Sequence, residues 1–306
     1  MHIFATIIPI FLIILLGWWV HRRGFLPAEF MEPANRLVFY VAIPAIIFQS
    51  IAKSALREWF SPQVILITLL AAALAYGTAW LLCRLTRMPR FLAGTFIQSS
   101  GHGNLGYIGL AVAFYYLGHN GFAQASVAAG FLMILQNLLS IMALQFYSRQ
   151  SASVQHPLSV ALKVLGNPVI LSVIAGMAFS LLGLPVPLIM TRCLEILGGL
   201  ALPMALLVIG GSLSPQCMKA YGWFVVAAVI IKLLWLPGLG WLMFHYLAIP
   251  KNIFLPALIL LASPTATISY VMARQMQGDG DLAVAAISAS TLASALTFIF
   301  WLQAAS

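Results

Sequence analysis

Runs of apolar residues long enough to cross a lipid bilayer recur ten times along the 306 residues of this chain. A transmembrane helix needs about 17 to 25 mostly apolar residues. Hydrocarbon offers no partner to backbone N–H and C=O groups, so a run of this length is expected to pair them internally as a helix. The ten predicted spans cover residues 3–20, 35–52, 63–83, 92–117, 121–146, 166–183, 194–213, 222–247, 252–276 and 281–302.

The composition is typical of an all-α polytopic membrane protein without a soluble domain, because 62% of the residues are apolar and only 7% are charged. The net charge of +9 comes from basic residues in short loops, which indicates membrane orientation and excludes a nucleic-acid-binding surface. Cys83, Cys193 and Cys217 have no paired spacing and the six histidines are scattered. Neither a disulfide framework nor a metal site is predicted, and no cofactor is expected.

The distribution of Lys and Arg between alternate loops predicts the orientation of the chain. The loops after odd-numbered spans contain ten of these residues and the loops after even-numbered spans contain four. The positive-inside rule therefore places the odd loops in the cytoplasm and both termini on the other side of the cytoplasmic (inner) membrane. Five spans in each half make the two halves, 1–150 and 151–306, inverted repeats, and the matching AIP at 42–44 and ALP at 201–203 support this division.

Two predicted spans are interrupted in their middle by polar and helix-disrupting residues, SSGHGNLGYIGL at 99–110 and SPTATISY at 263–270. They occupy matching places in the two halves, a pattern typical of the binding site of a secondary transporter. Glycine and proline interrupt a helix and leave backbone N–H and C=O groups available to a ligand. A half-helix that begins near Asn104 or Thr265 would present its N–H groups to an anion. The predicted substrate-binding residues in the two breaks are His102, Gly103, Asn104, Tyr107, Pro264, Thr265 and Thr267.

Three further polar residues inside spans are candidates for the same site. Gln136 and Asn137 are predicted to face the interior of the helix bundle, where they either contact the ligand or bond neighbouring helices. Lys232 lies about halfway along the eighth span. A lysine at that depth either balances the charge of a substrate or has a structural role in which its ammonium reaches toward the interface.

Residues that other functions would need are missing from the sequence of the spans. All six acidic residues fall in loops or at span ends, so a carboxylate proton relay is not predicted, although His102 alone could carry a proton. Uniport, or coupling through the charge of the substrate, is therefore favoured. GHGNLG at 101–106 satisfies the GxGxxG pattern, but dinucleotide binding is rejected because that pattern requires a preceding strand. The sequence shows no nucleophile paired with a general base, so an enzyme is not indicated.

The chain resembles the auxin efflux carrier family of membrane transporters, which includes plant auxin carriers and bacterial proteins described as malonate or malate carriers. The resemblance rests on GNLGYIGLAV at 103–112, ALPMALLVIGGSL at 201–213 and SPTATISYVMARQM at 263–276. It implies ten transmembrane helices in two inverted five-helix repeats, with the broken helices 4 and 9 crossing each other. It also implies a scaffold domain beside a mobile transport domain, and a homodimer.

The resemblance also implies roles for single residues. Asn104 looks like the crossover asparagine that contacts substrate, Gln136 and Asn137 look like a polar pair beside it, and Pro264 looks like the crossover proline. The charged group of the third helix of plant carriers has no counterpart in 63–83, which favours a small carboxylate over auxin. We therefore expect a carrier that moves a small organic anion by alternating access. A sodium-coupled carrier of the bile-acid type, or a membrane sensor that binds a ligand without moving it, are the alternatives.

Overall fold

The computed structural model describes residues 2–56, 60–148, 166–214 and 221–305, and this part of the chain is dominated by helices. They are α1 (His2–Arg22), α2 (Ala28–Leu37), α3 (Ile43–Ala52), α4 (Pro62–Leu85), α5 (Arg90–Gly101), α6 (Leu110–Tyr147), α7 (Pro168–Leu182), α8 (Leu188–Gly211), α9 (Trp223–Ile230), α10 (Leu236–Tyr246), α11 (Lys251–Leu261), α12 (Ile268–Gln275) and α13 (Gly280–Ala304). Short π-helical segments join α2 to α3, lead into α6 and join α9 to α10; they are Val38–Ala42, Leu105–Gly109 and Ile231–Trp235.

Within the described residues, seven stretches of helix are long and apolar enough to cross a membrane, which confirms the prediction of a helical protein with several membrane-spanning helices. They are Ile3–Arg22, Ala28–Ala52, Pro62–Leu85, Leu105–Tyr147, Leu188–Gly211, Trp223–Tyr246 and Gly280–Ala304. Two shorter apolar helices, α7 and α11, accompany them. The count of ten spans, their inverted repeat and their orientation in the membrane stay predictions.

Leu105–Tyr147 is too long to be one straight crossing. Its 43 residues would extend about 64 Å as a helix, whereas the hydrocarbon core is about 30 Å thick. Gly118, with φ 70° and ψ −166°, interrupts it between the fourth and fifth predicted spans. Some predicted features lie outside the described residues: the boundary between 150 and 151, Cys217, and the loop cations Arg57, Arg149, Lys163 and Lys219.

Several helices begin and end at residues that supply the hydrogen bonds or the backbone conformation a helix end requires. The Ser61 hydroxyl accepts from the Val64 N–H at 3.4 Å at the start of α4, and Asp279 accepts from the Leu282 N–H at 2.8 Å before α13. Proline occupies the first position of α4 and α7, where its missing N–H leaves no bond unmade. After α7, Gly183 has φ 64°, a left-handed conformation that glycine adopts readily.

The helices pack as two groups, of which group A contains α1, α2, α3, α7 and α8. Within group A, α1 and α8 approach so closely that a Cβ added to Gly17 would collide with the backbone of Leu207. The ammonium of Lys53, just after α3, donates to the carboxylate of Glu195 in α8 at 3.1 Å. Close backbone contact therefore joins α1 to α8, and an ion pair joins the end of α3 to α8.

Group B contains α4, α5, α6 and α9 to α13. The indole of Trp235 donates to the hydroxyl of Thr78 in α4 at 3.1 Å, and the indole of Trp301 in α13 donates to the Leu233 carbonyl at 2.8 Å. The segment between α9 and α10 is thereby tied to helices on both of its sides. Group B also contains both broken helices.

Hydrogen bonds connect the two groups. Tyr107 and Ser214 make hydrogen bonds from one group to the other. The Tyr107 hydroxyl lies 2.6 Å from Asn35 Oδ1 and 3.3 Å from the Asn35 carbonyl oxygen, and the Ser214 N–H donates to the Ser288 hydroxyl at 3.0 Å. The two groups are therefore in direct polar contact beside the first break and after the end of α8.

Candidate functional site

The two broken segments predicted from the sequence meet in the structure. The first lies between the end of α5 at Gly101 and the π-helical segment at Leu105, and the second lies between α11 and α12. Gly103 and Thr265 form an antiparallel β-bridge. On either side of it, the Asn104 N–H donates to the Pro264 carbonyl at 2.6 Å and the Ala266 N–H donates to the His102 carbonyl at 2.9 Å. Each break therefore supplies partners for backbone groups that the other leaves free.

Small residues allow this close crossing. A Cβ added to Gly103 would lie 2.6 Å from Ser263 Oγ and 3.3 Å from Lys232 Cε. A Cβ on Gly101 would collide with the ring of Tyr76, which packs against the end of α5. A larger side chain would therefore press on Ser263 of the second break at position 103 and on Tyr76 of α4 at position 101, so glycine is favoured at both positions.

Two buried amide side chains present free N–H groups at the crossing. Asn104 Oδ1 accepts from the Tyr107 N–H at 3.3 Å, and Gln136 Oε1 accepts from the Gly103 N–H at 3.1 Å. Backbone N–H groups can only donate, so these bonds fix which end of each amide is oxygen. Asn104 Nδ2 and Gln136 Nε2 are buried without a partner, and the two residues are only 5% and 0% exposed.

Lys232 is fully buried beside the same crossing. Its ammonium donates to the Leu261 carbonyl, the last residue of α11, at 2.9 Å. The partial negative charge of a helix C-terminus makes this a favourable place for a cation. Among the described residues, the carboxylate ion pairs involve Glu195 and none reaches Lys232. The ammonium therefore has one carbonyl partner, no counter-ion in that part of the chain, and two further N–H groups.

A chain of hydrogen bonds leads from His102 to neighbouring helices. His102 Nδ1 lies 3.1 Å from the Ser140 hydroxyl, which lies 2.7 Å from the Tyr76 hydroxyl, and Tyr76 also donates to the Gln136 carbonyl at 3.2 Å. Sequence reasoning missed Tyr76 and Ser140. The available signal was helical spacing, because Gln136 and Ser140 are four residues apart and share a helix face.

The second break is tied to α5 and α13 through Thr265. Its hydroxyl donates to the Ser99 carbonyl at 2.9 Å, and its N–H donates to the Ser290 hydroxyl at 3.0 Å. Ser290 thereby joins α13 to the second break. Thr267 is half-buried at the start of α12, where the N–H groups of Thr267 and Ile268 meet no acceptor among the described residues.

Two of the predicted site residues, Asn137 and Tyr107, make side-chain contacts away from the crossing. The Asn137 side chain is half-buried and donates to the Met133 carbonyl of its own helix at 2.9 Å, so Gln136 is the member of that pair in contact with the break. The Tyr107 backbone bonds Asn104, whereas its hydroxyl reaches Asn35 in group A. No group of three His, Cys, Asp or Glu side chains within the described ranges could hold a metal ion.

Comparison with known proteins identifies relatives along the whole chain. The sequence profile of the family described as "Membrane transport protein" matches residues 2–302. A protein of Rhizobium meliloti (strain 1021) named "Putative malonate transporter" is 28% identical over 97% of this chain and 93% of its own length. Uncharacterised transporters of Methanocaldococcus jannaschii and Methanothermobacter thermautotrophicus are 23% and 22% identical, each over 97% of this chain and 96% of its own length.

Proposed function

Because the chain belongs to the auxin efflux carrier family of membrane transport proteins, we propose that it carries a small organic anion across the cytoplasmic membrane by alternating access. The anion binds at the crossing of the two broken helices. Malonate is the first substrate to test, since a relative that aligns over nearly the whole chain is named for it. Ten spans in two inverted repeats, both termini on the outer side and a homodimer belong to the same proposal.

The observation that carries this proposal is the surplus of hydrogen-bond donors at the crossing. Asn104 Nδ2, Gln136 Nε2 and the Lys232 ammonium all have unused N–H groups, and all three are buried. Each buried donor left unpaired costs about 1–3 kcal/mol. A carboxylate has only acceptors and one negative charge, so its binding satisfies the amides and balances the lysine together.

The charge of Lys232 strengthens the preference for an anion. Removing an ammonium from water costs several kcal/mol, and one carbonyl bond to Leu261 offsets only part of that. A bound carboxylate offsets more of the cost of removing the ammonium from water. The competing explanation is structural, in which Lys232 serves to cap α11 and contacts no substrate.

Movement between the two groups of helices supplies the alternating access. The crossing, both amides and Lys232 all belong to group B, so a displacement of group B against group A would carry the site as a unit. Such a displacement would break the hydrogen bonds from Tyr107 to Asn35 and from Ser214 to Ser288 and form others in the second arrangement. Group A corresponds to the scaffold and group B to the transport domain that the family resemblance implies.

The proposal is tested by counterflow of radiolabelled malonate in proteoliposomes, with competition by a panel of mono- and dicarboxylates and aromatic acids. Asn104→Asp and Gln136→Glu keep the oxygen that accepts the backbone N–H and replace the free NH2 by oxygen. A hydrogen bond to a charged group is worth about 1.5–3 kcal/mol, so each variant is expected to raise the half-saturation concentration about 10- to 100-fold. Gln145→Glu, on the same helix away from the crossing, is the matched control.

Two results would contradict the assignment. Unchanged half-saturation in both Asn104→Asp and Gln136→Glu would remove the amides from the site, and Asn137→Leu then tests the other member of the sequence pair. Folded protein that exchanges no acid, yet binds one in detergent, would favour the sensor over the carrier.

A further inference from the structure

A cavity of about 320 Å³ lies between α6 and α11, at the end of the bundle where α11 begins. Its apolar lining consists of Leu117, Gly121, Leu255 and Pro256, and its polar lining of Gln124, Lys251 and Asn252. Gly121, Leu255 and Pro256 are buried, whereas Lys251 and Asn252 are exposed. The cavity is therefore apolar inside and polar at its mouth.

A second, narrower cavity of about 30 Å³ adjoins the first on the side of α4. The two cavities share Gln124 and Pro256 in their lining, so they form one groove. Apart from Ser61, the residues that the second cavity adds are apolar, among them Val64, Val127 and Ala257. The groove thus has polar groups at its mouth and hydrocarbon side chains along the rest of its length.

The polar side chains at the mouth have no partners within the described part of the chain. None of Gln124, Lys251 and Asn252 makes a side-chain hydrogen bond or an ion pair there. Gln124 is half-buried in α6, where an unpaired amide in apolar surroundings is costly. Lys251 is the one charged residue of the lining, and both it and Asn252 belong to the first, positive turn of α11. A ligand with acceptor oxygens and a negative charge would satisfy all three side chains.

The depth of the mouth along α11 matches the surface of a membrane. α11 ends at Leu261, whose carbonyl accepts from Lys232 beside the crossing. The helix from Lys251 to Leu261 rises about 15 Å, which is half of the roughly 30 Å thickness of the hydrocarbon core. If the crossing lies near the middle of the membrane, as the two broken spans predict, Lys251 reaches the level of the lipid headgroups.

The lining distinguishes between classes of ligand. A small soluble anion would use Lys251 and the amides but would leave the apolar part of the groove empty. A phospholipid joins phosphate and ester oxygens to acyl chains, which match the mouth and the rest of the groove. The headgroup of phosphatidylcholine also contains a cation, and no acidic side chain lines the groove to receive it. An anionic headgroup such as that of phosphatidylglycerol avoids this mismatch.

We propose that this groove binds one anionic phospholipid, whose oxygens accept from Lys251, Asn252 and Gln124 and whose first acyl carbons lie against the apolar lining. The lipid would link α4, α6 and α11, which all belong to group B. Because α6 contains Gln136 and α11 leads to the second break, the lipid stabilises helices that support the crossing. The site goes beyond the proposed anion transport, and only its depth depends on where the crossing lies.

The test is the melting temperature of the delipidated full-length protein in neutral detergent, with added phosphatidylglycerol or phosphatidylcholine of the same acyl chains. Phosphatidylglycerol is expected to raise it, saturably, by a few degrees more than phosphatidylcholine, because a ligand of the folded state stabilises it. Lys251→Met removes an exposed charge, so it is expected to fold and to lose this difference. Gln124→Leu is expected to reduce the difference. Arg192→Met, which removes an exposed cation of α8 in group A, is the matched control and is expected to retain it.

Three results would contradict the proposal. Equal melting temperatures in the two lipids would overturn the preference for an anionic headgroup. A difference that persists in both Lys251→Met and Gln124→Leu would overturn the assignment to this groove. An equal rise with glycerol 3-phosphate, which has a phosphate but no acyl chains, would identify a soluble anion as the occupant. Melting requires no transported substrate, so failure of malonate exchange refutes only the carrier, and these three results refute only the lipid site.

Discussion

Removal of the Tyr107 hydroxyl should loosen the contact between the two groups of helices by a calculable amount. The hydroxyl has one hydrogen to donate to Asn35, whose oxygens lie 2.6 and 3.3 Å away. One neutral hydrogen bond contributes about 1 kcal/mol net. Asn35 is half-buried, so water can replace the lost partner without a larger penalty. Tyr107→Phe should therefore lower the population of the present arrangement relative to others about fivefold.

The population can be measured by pulsed electron paramagnetic resonance between one spin label on each group. Ile189 in α8 and Tyr246 in α10 are 80% and 90% exposed, so labels there leave the packing intact. The labels are attached to cysteines in a background whose native cysteines have been replaced. The expected result is a smaller fraction of the present inter-label distance in Tyr107→Phe, with the affinity for malonate changed only in proportion to that fraction.

Tyr115→Phe is the matched control, because Tyr115 lies on α6 within group B and is 43% exposed. It is expected to leave the distance distribution unchanged. A population ratio that changes less than about twofold in folded Tyr107→Phe would refute the reasoning. An equal change in Tyr115→Phe, or one identical distance in all three proteins, would refute it as well.

Two further substitutions test the crossing itself. Gly103→Ala brings a methyl group to 2.6 Å from Ser263 Oγ and should lower the free energy of unfolding by about 1–3 kcal/mol in thermal melts. Gly77→Ala, whose added methyl group would meet no atom within 4 Å, should leave the free energy of unfolding unchanged. Gly103→Ala combined with Ser263→Ala should recover part of the lost stability. Lys232→Met should abolish exchange yet leave the melting temperature equal or higher, because a buried charge without a counter-ion is replaced by an apolar chain of similar length. A marked fall in melting temperature would identify Lys232 as a structural cap of α11.

The positions of the breaks could be predicted from the sequence because glycine, proline and polar residues are conspicuous inside apolar runs. Lys232 was visible for the same reason, since few ionisable residues occur in the spans. The crossing of the two segments was an implication of the family resemblance. The backbone geometry of the crossing could not be predicted, because the hydrogen bonds of Asn104 and Ala266 join residues about 160 positions apart.

The partners of the site could not be predicted because they come from unbroken helices. Tyr76 does not disturb an apolar helical pattern, so nothing in the sequence separates it from residues that only pack, and Ser140 is marked only by its four-residue spacing from Gln136. Gln136 and Asn137 are adjacent, and neighbours on a helix point about 100° apart, so only one can face the crossing. The sequence offers no reference direction to choose between them. Packing against α5 decides it, through the bond of Gln136 to Gly103.

The β-bridge between the breaks also determines when the backbone groups of the first break can be paired during biosynthesis. The His102 carbonyl and the Asn104 N–H find their partners at Ala266 and Pro264. At about 5–20 residues per second, the ribosome makes the second segment roughly 10–30 s after the first. During that interval the first broken helix has unpaired backbone groups, each of which costs several kcal/mol in hydrocarbon. The first half of the chain therefore has to remain beside the membrane-insertion machinery, away from lipid, until the second broken helix has been made.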